Sequence, residues 1–330
     1  MKRFLIASAV AAAMAVTSVS FAAEKWKIAS GAQPGLLRDH HIQVGDSIGA
    51  STNGAVTAEF QFVGSEQEVV QQVVRGRLEV GVVSMIALAS IIPETAVLVT
   101  PYLWASPEEG DYVIDKALFE PLARLADAKG LVLIGFTETG WTDVVGKTPF
   151  VKPEDVVGRK IRVSPAPASA FFWRQMGANG VQLPLSELFP ALQSNLVEGA
   201  DLPFVYYITT PAAQSAPNYT LTRHTHIFNG VIVNKDAWAK LSADQQKAVR
   251  AGVPSYAKLR SEVRAAEEPL MKKFEEQGGK VIRLTNEQRR AWFDKVYPGQ
   301  ADYVKTLGGD AQALYDLIQK ARQDYAAGKR

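Results

Sequence analysis

The sequence predicts an α/β protein of two domains, each a mixed, mostly parallel sheet flanked by helices. Three observations carry this reading. Apolar period-2 runs alternate with helical stripes through short connections, the signature of βαβ units and parallel sheets. The chain has 330 residues, and beyond about 250–300 residues a single core tends to split. Two such βα-rich halves are followed by a long C-terminal region whose pattern is helical.

The elements follow in order. "MKR" and the Ala-rich run Leu5 to Val19, closed by small residues in "SVSFAA", read as a secretory signal peptide over residues 1–22. The run is too short for a spanning helix, which needs about 20 apolar residues. "EKWKIAS" opens the remaining chain as a strand, and "AVTAEFQFV" is a second after the Asn53-Gly54 turn signal. Ser65 caps a helix whose first-turn acids, Glu66 and Glu68, suit the helix dipole. Val69, Val70, Val73 and Val74 form its buried stripe, Gly76 stops it, and "LEVGVVS" is the next strand. Leu131 to Gly140 is a further strand, which leaves Trp141 just past its carboxyl end. "PEDVVGRKIRV" reads as a helical turn entering a strand. "LPLSELFPALQSNLVEGADLPF" reads strand, helix capped by Ser186 with Pro190 in its first turn, then strand. "HIFNGVIVN" is the last strand, preceded by "HTH". Ser242 to Gln277 reads as one long helix interrupted at Pro254 and Pro269, and two more helices start near Asn286 and Asp310.

Composition removes several function classes. The formal charge is +2, and loss of Lys2 and Arg3 with the signal peptide brings it to zero, which argues against nucleic-acid binding. Zero cysteines exclude disulfides, thiolate nucleophiles, thiolate metal sites and a lipid-modified cysteine. Four histidines fall as His40-His41 in a helix and as His224 and His226. An H-x-H pair can bind zinc from one strand face, but no third ligand stands at motif spacing, so no metal is expected. Nucleophile-elbow, dinucleotide and P-loop patterns are absent. Paired acids such as Glu267-Glu268 read as solvated faces, and "FFW" (Phe171 to Trp173) reads as core. Nothing suggests a cofactor or catalysis; an exported chain of this size reads as a binding protein.

Ligands of open α/β sheets bind outside the carboxyl ends of the strands. That rule selects Gln33, Ser65, Ser84, Glu138, Trp141 and Asp201, with Trp104 by the same logic. Arg162 has the strongest case, because it sits where the "KIRV" strand meets Pro165. A guanidinium matches a carboxylate with two parallel hydrogen bonds and cannot shed its charge on burial. A solvated strand end, or a structural pair with Glu187, remains an open alternative at this point.

The run "PEDVVGRKIRVSPAPASAFFWRQMGANGVQLPLSELFPALQSNLVEGADLP" resembles the DctP-type substrate-binding proteins of TRAP transporters. It matches their "D-L-x-G-x-K-I-R-V" segment at Asp155, Gly158, Lys160, Ile161, Arg162 and Val163. Their "G-A" turn falls at Gly177 and Ala178. The remaining matches are Pro184, Glu187, Ala191, Leu192, Gln193, Val197 and Gly199. The resemblance implies a periplasmic two-domain clamshell with a long C-terminal helix bracing both domains. It also implies a small organic acid held through its carboxylate by Arg162, and delivery to a sodium-coupled membrane permease. On this scheme residues 23–140 with about 228–265 form domain I. Residues 141–227 with about 266–330 form domain II, and the cleft lies between them. A sensor accessory protein that presents its ligand, or an exported enzyme using the same cleft, are the alternatives. Oligomeric state, monomer or dimer, is not legible.

Three departures from the family pattern bear on the ligand. Thr142 stands near where members that bind larger acidic ligands carry a second arginine. Leu202 stands where an asparagine is common, with Glu198 in place of the usual aspartate. Leu185, not an aromatic, follows Pro184. These point to a monocarboxylate with an apolar or aromatic body, with Trp141 and Phe204 as candidate walls.

Overall fold

The structure, a computed structural model, describes residues 23–252 and 255–329; the signal-peptide segment and Pro254 lie outside the described residues. Among the described residues nine strands form one mixed sheet: β1 (Glu24–Ser30), β2 (Val56–Phe62), β3 (Val80–Ser84), β4 (Leu131–Gly146), β5 (Lys160–Val163), β6 (Asn179–Gln182), β7 (Gly199–Pro203), β8 (Asn218–Asn234) and β9 (Lys280–Ile282). Their spatial order is β2-β1-β3-β8-β4-β7-β5-β6, with β9 against β8.

The two long strands explain how two lobes share one sheet. The N-terminal part of β4 pairs with the C-terminal part of β8, whose residues Asn229–Val233 also pair with β3; this is lobe I. The C-terminal part of β4, Thr142–Gly146, pairs with β7, and Asn218–Thr220 of β8 pairs with β9; this is lobe II. Strands β1, β2 and β3 run parallel, as do β5, β6 and β7. The antiparallel links through β8 and β4 turn the two sets head to head, so both direct their carboxyl ends toward the middle of the crossing strands.

Each lobe has its own apolar core. Trp26, Ile28, Val44, Ile48 and Val231 pack in lobe I, and Leu188, Leu192, Tyr207, Tyr219 and Phe274 in lobe II. A third cluster runs from Val69 and Val73 through Trp104 and Phe228 to Phe171, Phe172, Trp173 and Trp292, joining the lobes. The helix Ser255–Glu276 packs on β4, β9, the helix Leu36–Ser51 and the turn Phe204–Tyr207, and so braces both lobes.

Several sequence expectations need correction. Strand β4 does not stop at Gly140 but continues to Gly146, because Gly140 adopts φ +102° within a bulge and lets the chain bend without leaving the sheet. Strand β8 begins at Asn218 and includes "HTH". The helix containing Pro190 starts at Leu185, with Pro184 rather than Ser186 at its cap, so Pro190 is its sixth residue. The segment before Trp104 is a 3₁₀ helix, Pro93–Val99, not a strand. The expected long helix is two, Ala243–Gly252 and Ser255–Glu276, with Pro269 retained inside the second. The last helix, Ala311–Ala326, packs on Pro93–Val99 and on the segments from Pro107 to Leu118, which belong to lobe I.

Candidate functional site: a cleft between the lobes

A cavity of about 320 Å³ opens where the two sets of strand ends face each other. Lobe I supplies Gly31, Gly64 to Gln67, Ser84 and Ile86; lobe II supplies Arg162, Ser164 to Ala166, Pro184 to Ser186 and Asp201 to Pro203. The floor is Thr139 and Thr142 of β4 and Thr225 and Ile227 of β8. Arg162, Asp201, Ser84 and Ser65 are there because β5, β7, β3 and β2 all end at this gap, as the strand-end rule requires.

Arg162 is 3 % exposed. Its Nε donates to the Leu183 carbonyl at 2.9 Å, and among the described residues neither Nη group has a hydrogen bond and no carboxylate stands within 4.0 Å. Burial lowers its pKa from the ordinary guanidinium value, and the nearby Asp201 charge opposes that. A guanidinium cannot neutralise itself by losing a proton, so Arg162 stays charged at the cleft wall with its Nη donors unbonded among the described residues.

Asp201 is fixed from behind. One carboxylate oxygen accepts from the Ser169 hydroxyl at 2.8 Å and from the Trp173 indole N–H at 3.0 Å. The other lies 3.8 Å from His224 Nε2. Burial pushes its carboxyl up, but His224, Arg162 and Trp173 more than offset this, holding it below the usual carboxylate range.

On the opposite wall Glu66 accepts from the Ser84 hydroxyl at 2.5 Å and the Ser84 N–H at 3.3 Å. The Tyr206 hydroxyl of lobe II faces the same carboxylate. Burial pushes the Glu66 carboxyl up, against the pull of those hydrogen bonds. Gly31 leaves the space for it, since a Cβ there would stand 3.0 Å from Glu66 Cγ. On the floor, the Thr142 hydroxyl is buried with no hydrogen-bond partner among the described residues.

The cleft therefore brings together six residues singled out from sequence: Arg162, Ser65, Ser84, Leu185, Asp201 and Leu202. It does not include five others, Gln33, Glu138, Trp141, Phe204 and Trp104. Gln33 is exposed, beyond the buried Ala32, because the chain has already left the cleft rim. Glu138 and Trp141 project from the opposite face of β4. Glu138 is buried against Arg264 and 3.5 Å from His226, and Trp141 packs on the His226 ring at 4.7 Å. Phe204, 2 % exposed, packs edge-on to Tyr219 and Phe274 in the lobe II core. Trp104 packs against Phe228 away from the cleft. Glu66, Tyr206, Thr139 and Thr225 were not expected at the site. Glu66 carried a signal, its place one residue after a strand-end serine, but helix-dipole compensation already accounted for it.

A larger groove of about 620 Å³ lies elsewhere, between Tyr102–Glu108 and Asn286–Phe293, with Trp141 in its wall. Of its five arginines, 223, 264, 290 and 322 already face Glu267, Glu138, Asp294 and Glu109, and Arg289 is exposed, so among the described residues it does not offer the buried, unpaired cation that the cleft does.

Two lobes thus share one sheet, their strand ends face one cleft, and a buried arginine at its wall has no carboxylate within 4.0 Å among the described residues. The chain belongs to the bacterial extracellular solute-binding protein family 7, the DctP family of TRAP solute receptors, whose model matches residues 50–306. It is 24 % identical over 339 residues to the ectoine-binding periplasmic protein TeaA of Halomonas elongata, covering 99 % of each chain. It is 27 % identical to the C4-dicarboxylate-binding periplasmic protein DctP of Shewanella loihica, over 55 % of each chain. Its fold matches the sugar acid binding protein DctPAm of Advenella mimigardefordensis, solved with galactonate. That match has a TM-score of 0.82 at 23 % identity and covers 91 % of this chain and 99 % of that one. Members of the family are substrate-binding proteins of transporters, not enzymes. No helix among the described residues is long and apolar enough to cross a membrane.

Proposed function

We propose that the protein is exported through residues 1–22, binds a small organic acid in the inter-lobe cleft and delivers it to a TRAP membrane permease. The observation that carries this reading is Arg162, buried at the cleft wall with both Nη groups unbonded among the described residues. Arg162 receives the ligand carboxylate in a forked contact, and the orphaned Thr142 hydroxyl donates a further hydrogen bond from the floor. Closure of the lobes about the crossing of β4 and β8 then shields the ion pair from water, a hinge transition of the kind known for periplasmic binding proteins. The named ligands of relatives, ectoine for TeaA and a C4-dicarboxylate for DctP, support an acid-binding role at the level of class.

The test is thermal unfolding of the purified mature protein against mono- and dicarboxylates, aromatic acids, sugars and amino acids. Ligand at about 100 times its dissociation constant adds about 2.7 kcal/mol, which raises the midpoint of a chain this size by about 2 °C or more. A shift with one class of acids, lost in Arg162→Ala, is expected. A shift only with uncharged sugars, or one that survives the substitution, contradicts the reading.

A further inference from the structure

We propose that the cleft selects an acid with a single carboxylate at the Arg162 pole and an N–H or O–H donor at the Glu66 pole. The inference rests on the reading of Arg162 as carboxylate receptor and deepens it to a ligand class. Among the residues lining the cleft the charged side chains are one cation, Arg162, and two acids, Glu66 and Asp201. Asp201 sits on the Arg162 side, where it already offsets part of that cation's charge. Thr142 supplies a neutral hydroxyl on the floor. A second ligand carboxylate has no cationic receptor in the cleft, and near Glu66 it meets a like charge in a partly desolvated space.

Glu66 is equipped to receive a donor. It belongs to lobe I while Arg162 belongs to lobe II, so a ligand spanning both poles touches both lobes. Among the described residues no Lys, Arg or His stands within 4.0 Å of its carboxylate. Its neighbours are hydroxyls and an amide N–H, which orient it without neutralising it. The Ser84 hydroxyl accepts from the Ala87 N–H at 3.2 Å and therefore spends its own proton on Glu66. A carboxylate has about four acceptor sites, and the Ser84 hydroxyl, the Ser84 N–H and the Tyr206 hydroxyl take three, which leaves room for one donor from the ligand.

The experiment uses matched acids that differ only at the far end. Butyrate, 4-hydroxybutyrate, 4-aminobutyrate and succinate form one series, and the six-carbon analogues form a second. Each is titrated by calorimetry into wild type, Glu66→Gln and Arg162→Ala. The hydroxyl and ammonium arms distinguish a neutral from a cationic donor. In wild type at least one donor-terminated acid is expected to bind about tenfold or more tighter than its methyl-terminated and carboxylate-terminated partners. In Glu66→Gln that preference is expected to shrink to about threefold or less, and the dicarboxylate to gain. The wild-type ranking stands as a test even if the variant folds poorly, and the unfolding midpoint of the ligand-free variant reports its folding.

Four results overturn the inference: a dicarboxylate that binds as tightly as the donor-terminated acids, a methyl-terminated acid that does so, a ranking unchanged in Glu66→Gln, or failure of both series while other carboxylates bind through Arg162. If Arg162→Ala leaves all titrations unchanged, the carboxylate-receptor reading itself fails. If it abolishes them while Glu66→Gln changes nothing, only the present inference fails.

Discussion

Arg264 of the long helix and Glu138 of β4 form a forked ion pair at the point where the sheet passes from one lobe to the other. Arg264 Nε lies 3.0 and 3.1 Å from the two Glu138 oxygens, and Nη2 lies 2.5 Å from one of them. The same guanidinium also holds Asp111 at 2.7 and 2.8 Å. One side chain thus ties the bracing helix to the crossing strand and to the Pro107–Tyr112 helix.

Removing that tie strands a buried carboxylate. The Glu138 side chain is fully buried, and burial pushes its carboxyl up, an effect that His226 and Arg264 more than reverse. Arg264→Met keeps the apolar stem but leaves the buried Glu138 without its guanidinium partner, while Asp111 keeps Arg260 at 3.1 Å, and the loss costs about 3 kcal/mol or more. Thermal unfolding of the variant should show a midpoint lower by about 5 °C or more. Glu138→Gln in the same chain should recover part of the loss, since neighbouring sites couple.

The cleft floor makes a prediction with two opposite signs. Thr142 carries a buried hydroxyl with no partner among the described residues. Thr142→Val keeps the shape and the strand preference of a β-branched side chain and deletes the orphan. The ligand-free variant should be as stable as wild type or up to about 1 kcal/mol more so, while carboxylate affinity falls about two- to tenfold. Calorimetry paired with denaturant unfolding measures both. A loss of stability with affinity intact would place the hydroxyl in the framework rather than in the site.

Acid sensitivity should appear well above the range in which carboxylates titrate. His41 is 1 % exposed, both ring nitrogens lack partners among the described residues, and burial, with a smaller push from the His40 charge, lowers its pKa from 6.5 to about 3. Below pH 6.5 the unfolded chain binds a proton that the folded chain refuses, so stability is lost as pH falls. The loss grows at about 1.4 kcal/mol per unit and continues down to about pH 3. Between pH 7 and 5 His41 alone removes about 2 kcal/mol. Asp201 and Glu138, whose carboxyls are held low, lose their contribution from the ordinary carboxylate range downward, below this window, whereas Glu66 and Glu267, whose carboxyls burial raises, add a slope of the opposite sign that is common to wild type and variant. His41→Leu should flatten the pH 5–7 profile measured by denaturant unfolding, the remaining slope including His40, which burial also lowers.

Legibility from sequence followed how local each feature is. The place of Arg162 at the cleft was legible because Ile161 and Val163 alternate with charged residues and the prolines that follow mark the strand end, a pattern one strand long. Trp141 and Glu138 were misplaced by parity. Register shifts between Glu138 and Gly140 and between Thr142 and Val144 disturb the period-2 count, so Thr139 and Thr142 face the cleft while Trp141 faces away. Phe204 followed a strand end, as the rule asks, but three aromatic neighbours draw it into the lobe II core. The single sheet was not legible at all. It depends on β8 pairing with β3 and β4 across long stretches of chain, and nothing in a local pattern encodes that order.

The central claim is that Arg162 holds a ligand carboxylate between the lobes. Titration calorimetry of wild type, Arg162→Ala and Arg162→Lys with the acid that most raises the unfolding midpoint tests it most directly. The account predicts that Arg162→Ala weakens binding by about tenfold to a hundredfold or more, since a charged hydrogen bond is worth about 1.5–3 kcal/mol. It predicts that Arg162→Lys also weakens binding, because an ammonium cannot reproduce the fork. Equal affinity in all three proteins, each folded by its unfolding midpoint, would contradict it.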